Sequence, residues 1–179
     1  MKAIGFYQFL PVENPESLVE VEIPDPEPGA RDLLVRVRAV SVNPVDVKVR
    51  SRQNTVEREP KIIGWDAAGV VESTGSEVSL FKVGDEVYYA GDITRPGCNS
   101  QYHLVDERIV GCKPTSLSLE QAAAMPLTTI TAWELLFEPE IGGHGRSFLI
   151  SNEGAVRRSP QGGVEPVEEE GNRQKSSAE

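Results

Sequence analysis

In "DLLVRVRAVSV", residues 32–42, Leu33, Val35, Val37 and Ala39 alternate with Leu34, Arg36 and Arg38. A period of two puts the first set on one face of a strand and the second on the other, as in a half-buried strand. "SLVEVEIPDPEPG" alternates apolar with acidic residues until prolines end it, and "KAIGFYQF" opens the chain as another strand. "AAGVVEST" carries small residues that let neighbouring backbone come close. "GDEVYYAG" and "SQYHLVDE" add strands rich in aromatic and β-branched residues. Many short strands at this spacing, with few helical signals between them, predict a barrel or sandwich.

One short helix interrupts the strands. In "SVNPVDVKVR", Asn43 is a good N-cap and Pro44 suits the first helical position, which predicts a helix over residues 44–51. That helix would project Asp46 and Lys48 from one end of the barrel. Near residue 116 the pattern changes. Ser118 stands three residues before Gln121 in a capping-box arrangement, and alanines follow. Pro126 ends or kinks that helix, and "LTTITAWELLF" forms a second. After "RSFLI" the chain is rich in Glu, Gly, Ser and Pro, with almost no large apolar residue. Such a segment cannot bury enough surface to offset its ordering entropy, so 151–179 is expected as a disordered tail.

Composition narrows the function classes. The 179 residues are 39% hydrophobic and 26% charged, with a formal net charge of -10. So acidic a chain repels phosphates, which argues against nucleic acid and anionic membrane as partners. No apolar run reaches the roughly 18 residues that spanning a bilayer needs. The N-terminus has no signal-peptide core, so a cytoplasmic location is expected. Cys98 and Cys112 cannot make a disulfide framework and are expected as free thiols.

Five segments in order, "VNPVDVKVR", "GWDAAGVV", "VGDEVYYAG", "LVDERIV" and "AAAMPLTTITAWELL", give the chain its kinship. Together they resemble the N-terminal, GroES-like half of the medium-chain dehydrogenase/reductase superfamily, nearest its quinone-oxidoreductase and zinc-type alcohol dehydrogenase members. The resemblance implies a mainly β, α+β fold: a partly open barrel with short flanking helices over residues 1–142. Residues 143–150 would be a remnant of the first Rossmann strand. The family activity is hydride transfer between NADH or NADPH and a quinone, enone or carbonyl.

The resemblance also sets the metal question. Zinc-using members are similar to one another in a Cys near the Asn43–Pro44 position and a His where Trp65 stands, and this chain has neither. The soft ligands present are Cys98, Cys112, His103 and His144, without CxxC or His-x-x-x-His spacing, so no zinc is expected. Trp65 is expected either as an apolar wall of the substrate pocket or as core packing. Asn43, Lys48 and Thr131 match positions that contact nicotinamide or substrate in the metal-free members. Each has a plainer reading: helix cap for Asn43, solvated surface lysine for Lys48, helix-surface hydroxyl for Thr131. Asp46 is placed at the pocket, bonding nearby backbone N–H groups rather than acting as acid or base. No catalytic residue is assigned.

Where the family continues with a Gly-rich turn into a helix that holds the pyrophosphate, this chain has "SNEGAVRRSPQGG", without GxGxxG. The expectation is a truncated member that departs from the family pattern near Ser151. It would bind no cofactor tightly and be weakly active or inactive alone. The alternative is a non-catalytic barrel acting as a binding module. Trp133, Leu135, Leu136 and Phe137 would leave an apolar face partly exposed, predicting self-association through it.

Overall fold

The structure is a computed structural model; it describes residues 1–51, 56–137, 148–151, 154–158 and 164–166. Contacts divide the chain into two units, Met1–Thr128 and Thr129–Glu179. The expected domain end at residue 142 lies outside the described residues.

The first unit carries eight strands. β1 (Lys2–Phe6), β2 (Val19–Glu22) and β4 (Lys61–Ile62) form a three-stranded antiparallel sheet in the order β2-β1-β4. β3 (Asp32–Ser41), β5 (Asp66–Thr74), β6 (Glu86–Ala90), β7 (Tyr102–Asp106) and β8 (Val110–Cys112) form a five-stranded antiparallel sheet, order β7-β3-β5-β6-β8. Residues 99–101 stitch the two together. Ile4 donates to Asn99 O, Gln101 N donates to Lys2 O and Val37 N donates to Gln101 O. This is the sheet-rich architecture of a GroES-like barrel.

The alternation along β3 is realised. Leu33 and Val35 are fully buried, while Arg36 and Arg38 are exposed. Leu33, Val35, Ala67, Val71, Val87, Tyr89, Cys98 and Val105 form the main core cluster. Burying each large apolar side chain of that set contributes about 1.5–3 kcal/mol. Gly69 sits where β3 and β5 shift register, and a Cβ there would collide with the Arg36 carbonyl. Close backbone approach demands glycine at that position.

Three helices flank the strands: α1 (Pro44–Ser51), α2 (Leu119–Ala123) and α3 (Pro126–Phe137). Ser118 caps α2 through the full capping box with Gln121. Ala122 and Ala123 pack against Ala68 of β5. Pro126 separates α2 from α3 and occupies the first position of the second helix, where the missing N–H costs nothing.

In the second unit, the later part of α3 carries Trp133 and Phe137, whose rings meet at 4.6 Å. Both are about 60% exposed, at 59% and 60%. Leu135 is half-buried, and the Leu136 side chain lies outside the described residues. β9 (Phe148–Ser151), β10 (Gly154–Arg158) and β11 (Val164–Pro166) form an antiparallel sheet in which Ser151 faces Gly154. Ser151 and two of these strands fall within the segment expected as a tail, and the rest of that segment lies outside the described residues. Among the described residues β9 enters no parallel strand–helix–strand unit.

Candidate functional site

Of the residues singled out in the sequence, Asn43, Asp46 and Trp65 stand at or next to the junction of β3, α1 and β5, whereas Thr131 belongs to the second unit. β3 ends at Ser41, α1 begins at Pro44, and β5 begins at Asp66, directly opposite Ser41 in the ladder. That register brings Asn43 onto Asp66. The Asn43 Nδ2 group donates to Asp66 Oδ2 at 2.9 Å, and Ser41 Oγ donates to the same oxygen at 3.3 Å. The other carboxylate oxygen, Oδ1, accepts from Leu127 N at 3.0 Å. Asp66 thus satisfies one of the unpaired amides at the start of α3, where the helix dipole also favours negative charge.

Asn43 is not the helix cap that its position suggested. Its side chain turns to Asp66. The first turn of α1 is closed the other way round, by Asp46 Oδ2 accepting from Asn43 N at 2.7 Å. This is the reciprocal half of a capping box, supplied by the third helical residue. Asp46 therefore does not project from the barrel end. It folds back and is 5% exposed, bonding backbone N–H as expected, and its Oδ1 is buried without a hydrogen-bond partner. Lys48, by contrast, is exposed, and no ion pair of its ammonium occurs among the described residues. Thr131 is an exposed residue of α3.

Trp65 is 4% exposed and packs on Phe6, Ile63, Val45 and Val49. Its Nε1–H donates to Asp92 O at 3.1 Å. The indole also forms part of the wall of an open cleft of about 680 Å³, together with Ile62, Pro60, Ile93 and Pro96. The one side chain thus both packs in the core and lines this cleft. A more apolar groove of about 580 Å³ runs between Ile4 of β1 and Val40 and Val42 at the end of β3.

Asp66 is the residue the sequence reading passed over. It is fully buried, and that burial lifts its carboxyl above the ordinary range, against the lowering effect of the Asn43, Leu127 and Ser41 bonds. Asp46 nearby raises it further. The available signal was an acidic residue opening a small-residue strand otherwise fit for full burial. Such a charge needs partners, and Ser41 and Asn43 were within reach through the β3–β5 register.

Among the described residues, the donors at and near this junction do not fit a zinc ion. An indole N–H is a donor only, and that of Trp65 is already committed. Burial pushes the Cys98 thiol up to about 12, so it stays protonated at neutral pH. Its Sγ lies 3.5 Å from Asp66 O. His103 uses both ring nitrogens: Nε2 donates to Pro96 O at 3.0 Å and Nδ1 accepts from the Tyr89 hydroxyl at 3.0 Å. Burial lowers His103 to about 4, which keeps it neutral. Among the described residues no group of three or more His, Cys, Asp or Glu side chains stands within reach of one metal ion.

Residues 29–134 match the model of the alcohol dehydrogenase GroES-like domain. The chain is 42% identical over 159 residues to a zinc-type alcohol dehydrogenase-like protein of Staphylococcus epidermidis, covering 85% of this chain and 46% of that protein. It is 39% identical over 130 residues to a quinone oxidoreductase of Pseudomonas aeruginosa, covering 72% of this chain and 39% of the other. Among solved structures, a Rhizobium etli protein described as a candidate zinc-dependent alcohol dehydrogenase is 54% identical. It superposes with a TM-score of 0.74 over 77% of this chain and 40% of its own. The Escherichia coli quinone oxidoreductase complexed with NADPH is 31% identical, with a TM-score of 0.67 over 77% of this chain and 41% of its own. The chain spans somewhat less than half the length of these relatives. With its barrel, motif order and matched domain taken together, the chain belongs to the GroES-like alcohol dehydrogenase family of the medium-chain dehydrogenase/reductase superfamily, among its zinc-type alcohol dehydrogenase-like and quinone oxidoreductase members.

Proposed function

We propose that this chain is the substrate-side half of a zinc-independent, NAD(P)H-dependent oxidoreductase, cytoplasmic in location, that reduces a quinone, enone or carbonyl by hydride transfer. The observation that supports this reading is the set of side-chain hydrogen bonds at the β3–α1–β5 junction. An amide anchored to a carboxylate, and an indole already hydrogen-bonded to backbone, stand where zinc ligands would be needed. A nicotinamide supplies the hydride in such chemistry, so the protein's contribution is to bind and orient. By the resemblance, Asn43, Lys48 and Thr131 are the residues proposed for that task, and Trp65 and Asp46 are proposed for the substrate pocket. Alone, the chain is expected to bind NADPH weakly and to turn over little or not at all.

A second reading has its own support. The exposed Trp133–Phe137 pair offers an apolar surface through which a non-catalytic barrel would bind a partner, a second copy of the chain included. Titrating NADPH and following its fluorescence separates the two. Saturable binding supports the oxidoreductase reading. No change in emission up to about 1 mM cofactor, below which even a 4 kcal/mol interaction would register, supports the binding module.

A further inference from the structure

Asn43 is held at two points by two different carboxylates. Asp46 accepts its backbone N–H at 2.7 Å, and Asp66 accepts its side-chain Nδ2–H at 2.9 Å. An amide is ambiguous by shape, since its oxygen and nitrogen ends are nearly isosteric, and the chemistry of its neighbours decides which way it points. Here the amide nitrogen faces two oxygens, Asp66 Oδ2 at 2.9 Å and Ser41 Oγ at 3.4 Å, and donates to both. Turning the amide round would set its oxygen 2.9 Å from Asp66 Oδ2, oxygen against oxygen, and lose the hydrogen bond now made there. Among the described residues, Asn43 Oδ1 accepts no hydrogen bond. The residue is 9% exposed, yet Oδ1 is not among the fully enclosed orphan atoms, of which Asp46 Oδ1 is the sole example. The oxygen therefore has a lone pair free and a path to solvent.

Resting on the assignment of Asn43 to the ligand site, we infer that Asp66 is a positioning residue. It locks the Asn43 amide so that the site presents an acceptor, and the ligand group bound there must be a donor, a carboxamide N–H or a hydroxyl O–H. A ketone, ether or acetyl group at the same place would meet the Asn43 oxygen with no proton to share, and a buried acceptor left unpaired is penalised. Asp66 touches no ligand. It acts through Asn43, and its bond to Leu127 N anchors the same carboxylate to the start of α3, so the lock does not swing with a surface side chain.

Two probe pairs test this on the 179-residue chain, with the Asn43 side-chain resonances followed by ¹H–¹⁵N NMR. Nicotinamide against 3-acetylpyridine exchanges an NH₂ for a CH₃; benzyl alcohol against benzyl methyl ether exchanges a hydroxyl for an ether. The donor member of at least one pair should shift the Asn43 signals and bind roughly five- to tenfold tighter than its partner, the worth of one hydrogen bond. The pair that shows the preference tells a cofactor carboxamide from a substrate hydroxyl. Asp66→Asn, whose amide can either donate or accept, should reduce that preference to near unity, and Asp66→Glu should restore part of it. If donor and acceptor probes bind wild type equally while both shift Asn43, the inference is overturned and the site assignment stands. If no probe moves Asn43, the assignment fails and the inference with it. A preference that survives in Asp66→Asn removes Asp66 from the role. The wild-type comparison needs no variant, so it decides the donor rule even where Asp66→Asn does not fold.

Discussion

At the scale of single residues, Asp66 carries the most consequences. Asp66→Ala would leave the Asn43 Nδ2–H and the Leu127 N–H without their carboxylate acceptor. The expected loss is about 2–4 kcal/mol, read from urea unfolding at pH 7. Its pH dependence has a defined sign. Because burial raises the folded carboxyl above 3.8, the native state holds that proton more tightly than the unfolded chain does. The associated stability is fully present below the unfolded value and is lost as pH rises through the folded one. Wild type should therefore lose stability relative to Asp66→Asn as pH rises from near 4 toward neutrality. An unchanged difference across that range would contradict the burial argument. Trp65→Ala should cost about 3–5 kcal/mol, since it empties the space between Phe6, Ile63, Val45 and Val49. These two neighbours show how unevenly a site can be read from sequence. Trp65 drew notice by replacing a ligand, whereas Asp66 is defined by partners 23 and 61 positions away, Asn43 and Leu127, which only the fold brings together.

The secondary-structure elements were the most legible level, because their signals are local. Period-two alternation placed β3, and the capping box with Pro126 placed the α2–α3 boundary as observed. In the first unit two strands escaped: β4, of two residues, and β8, of three, are too short to show any period; β10 and β11 escaped as well, in a segment whose composition reads as a tail. α1 was placed correctly at 44–51, yet its cap was assigned to the wrong side chain. Asn, Asp and Ser compete for the same backbone amides, and the winner depended on Asp66 drawing Asn43 away. At this level Ser118→Ala should destabilise by about 1 kcal/mol, the worth of an N-cap. The change should appear as a lower urea midpoint with an unchanged m-value. A wild-type midpoint would show that Gln121 and the Ala122–Ala123 contacts to Ala68 hold α2 without its cap.

For the whole molecule, the exposed Trp133–Phe137 pair has a direct physical consequence. Its two rings offer apolar surface that monomers seldom leave open. Light scattering coupled to size exclusion should show concentration-dependent association that Trp133→Ser with Phe137→Ser abolishes. A monodisperse monomer at high concentration would remove this face as a contact. The family was legible from five segments in register, because their order and spacing are carried by the sequence itself. The reaction was less so, because it depends on donors and acceptors assembled at one junction. The central proposal is that this half-site works without metal, and the Asn43–Asp66 pair and the hydrogen-bonded Trp65 indole at that junction are what support it. Purifying the chain in excess zinc, dialysing it, and measuring bound metal by mass spectrometry tests this most directly. The account predicts well below about 0.1 zinc per chain, whereas close to one zinc per chain surviving dialysis, as a true three- or four-ligand site would retain, would contradict it.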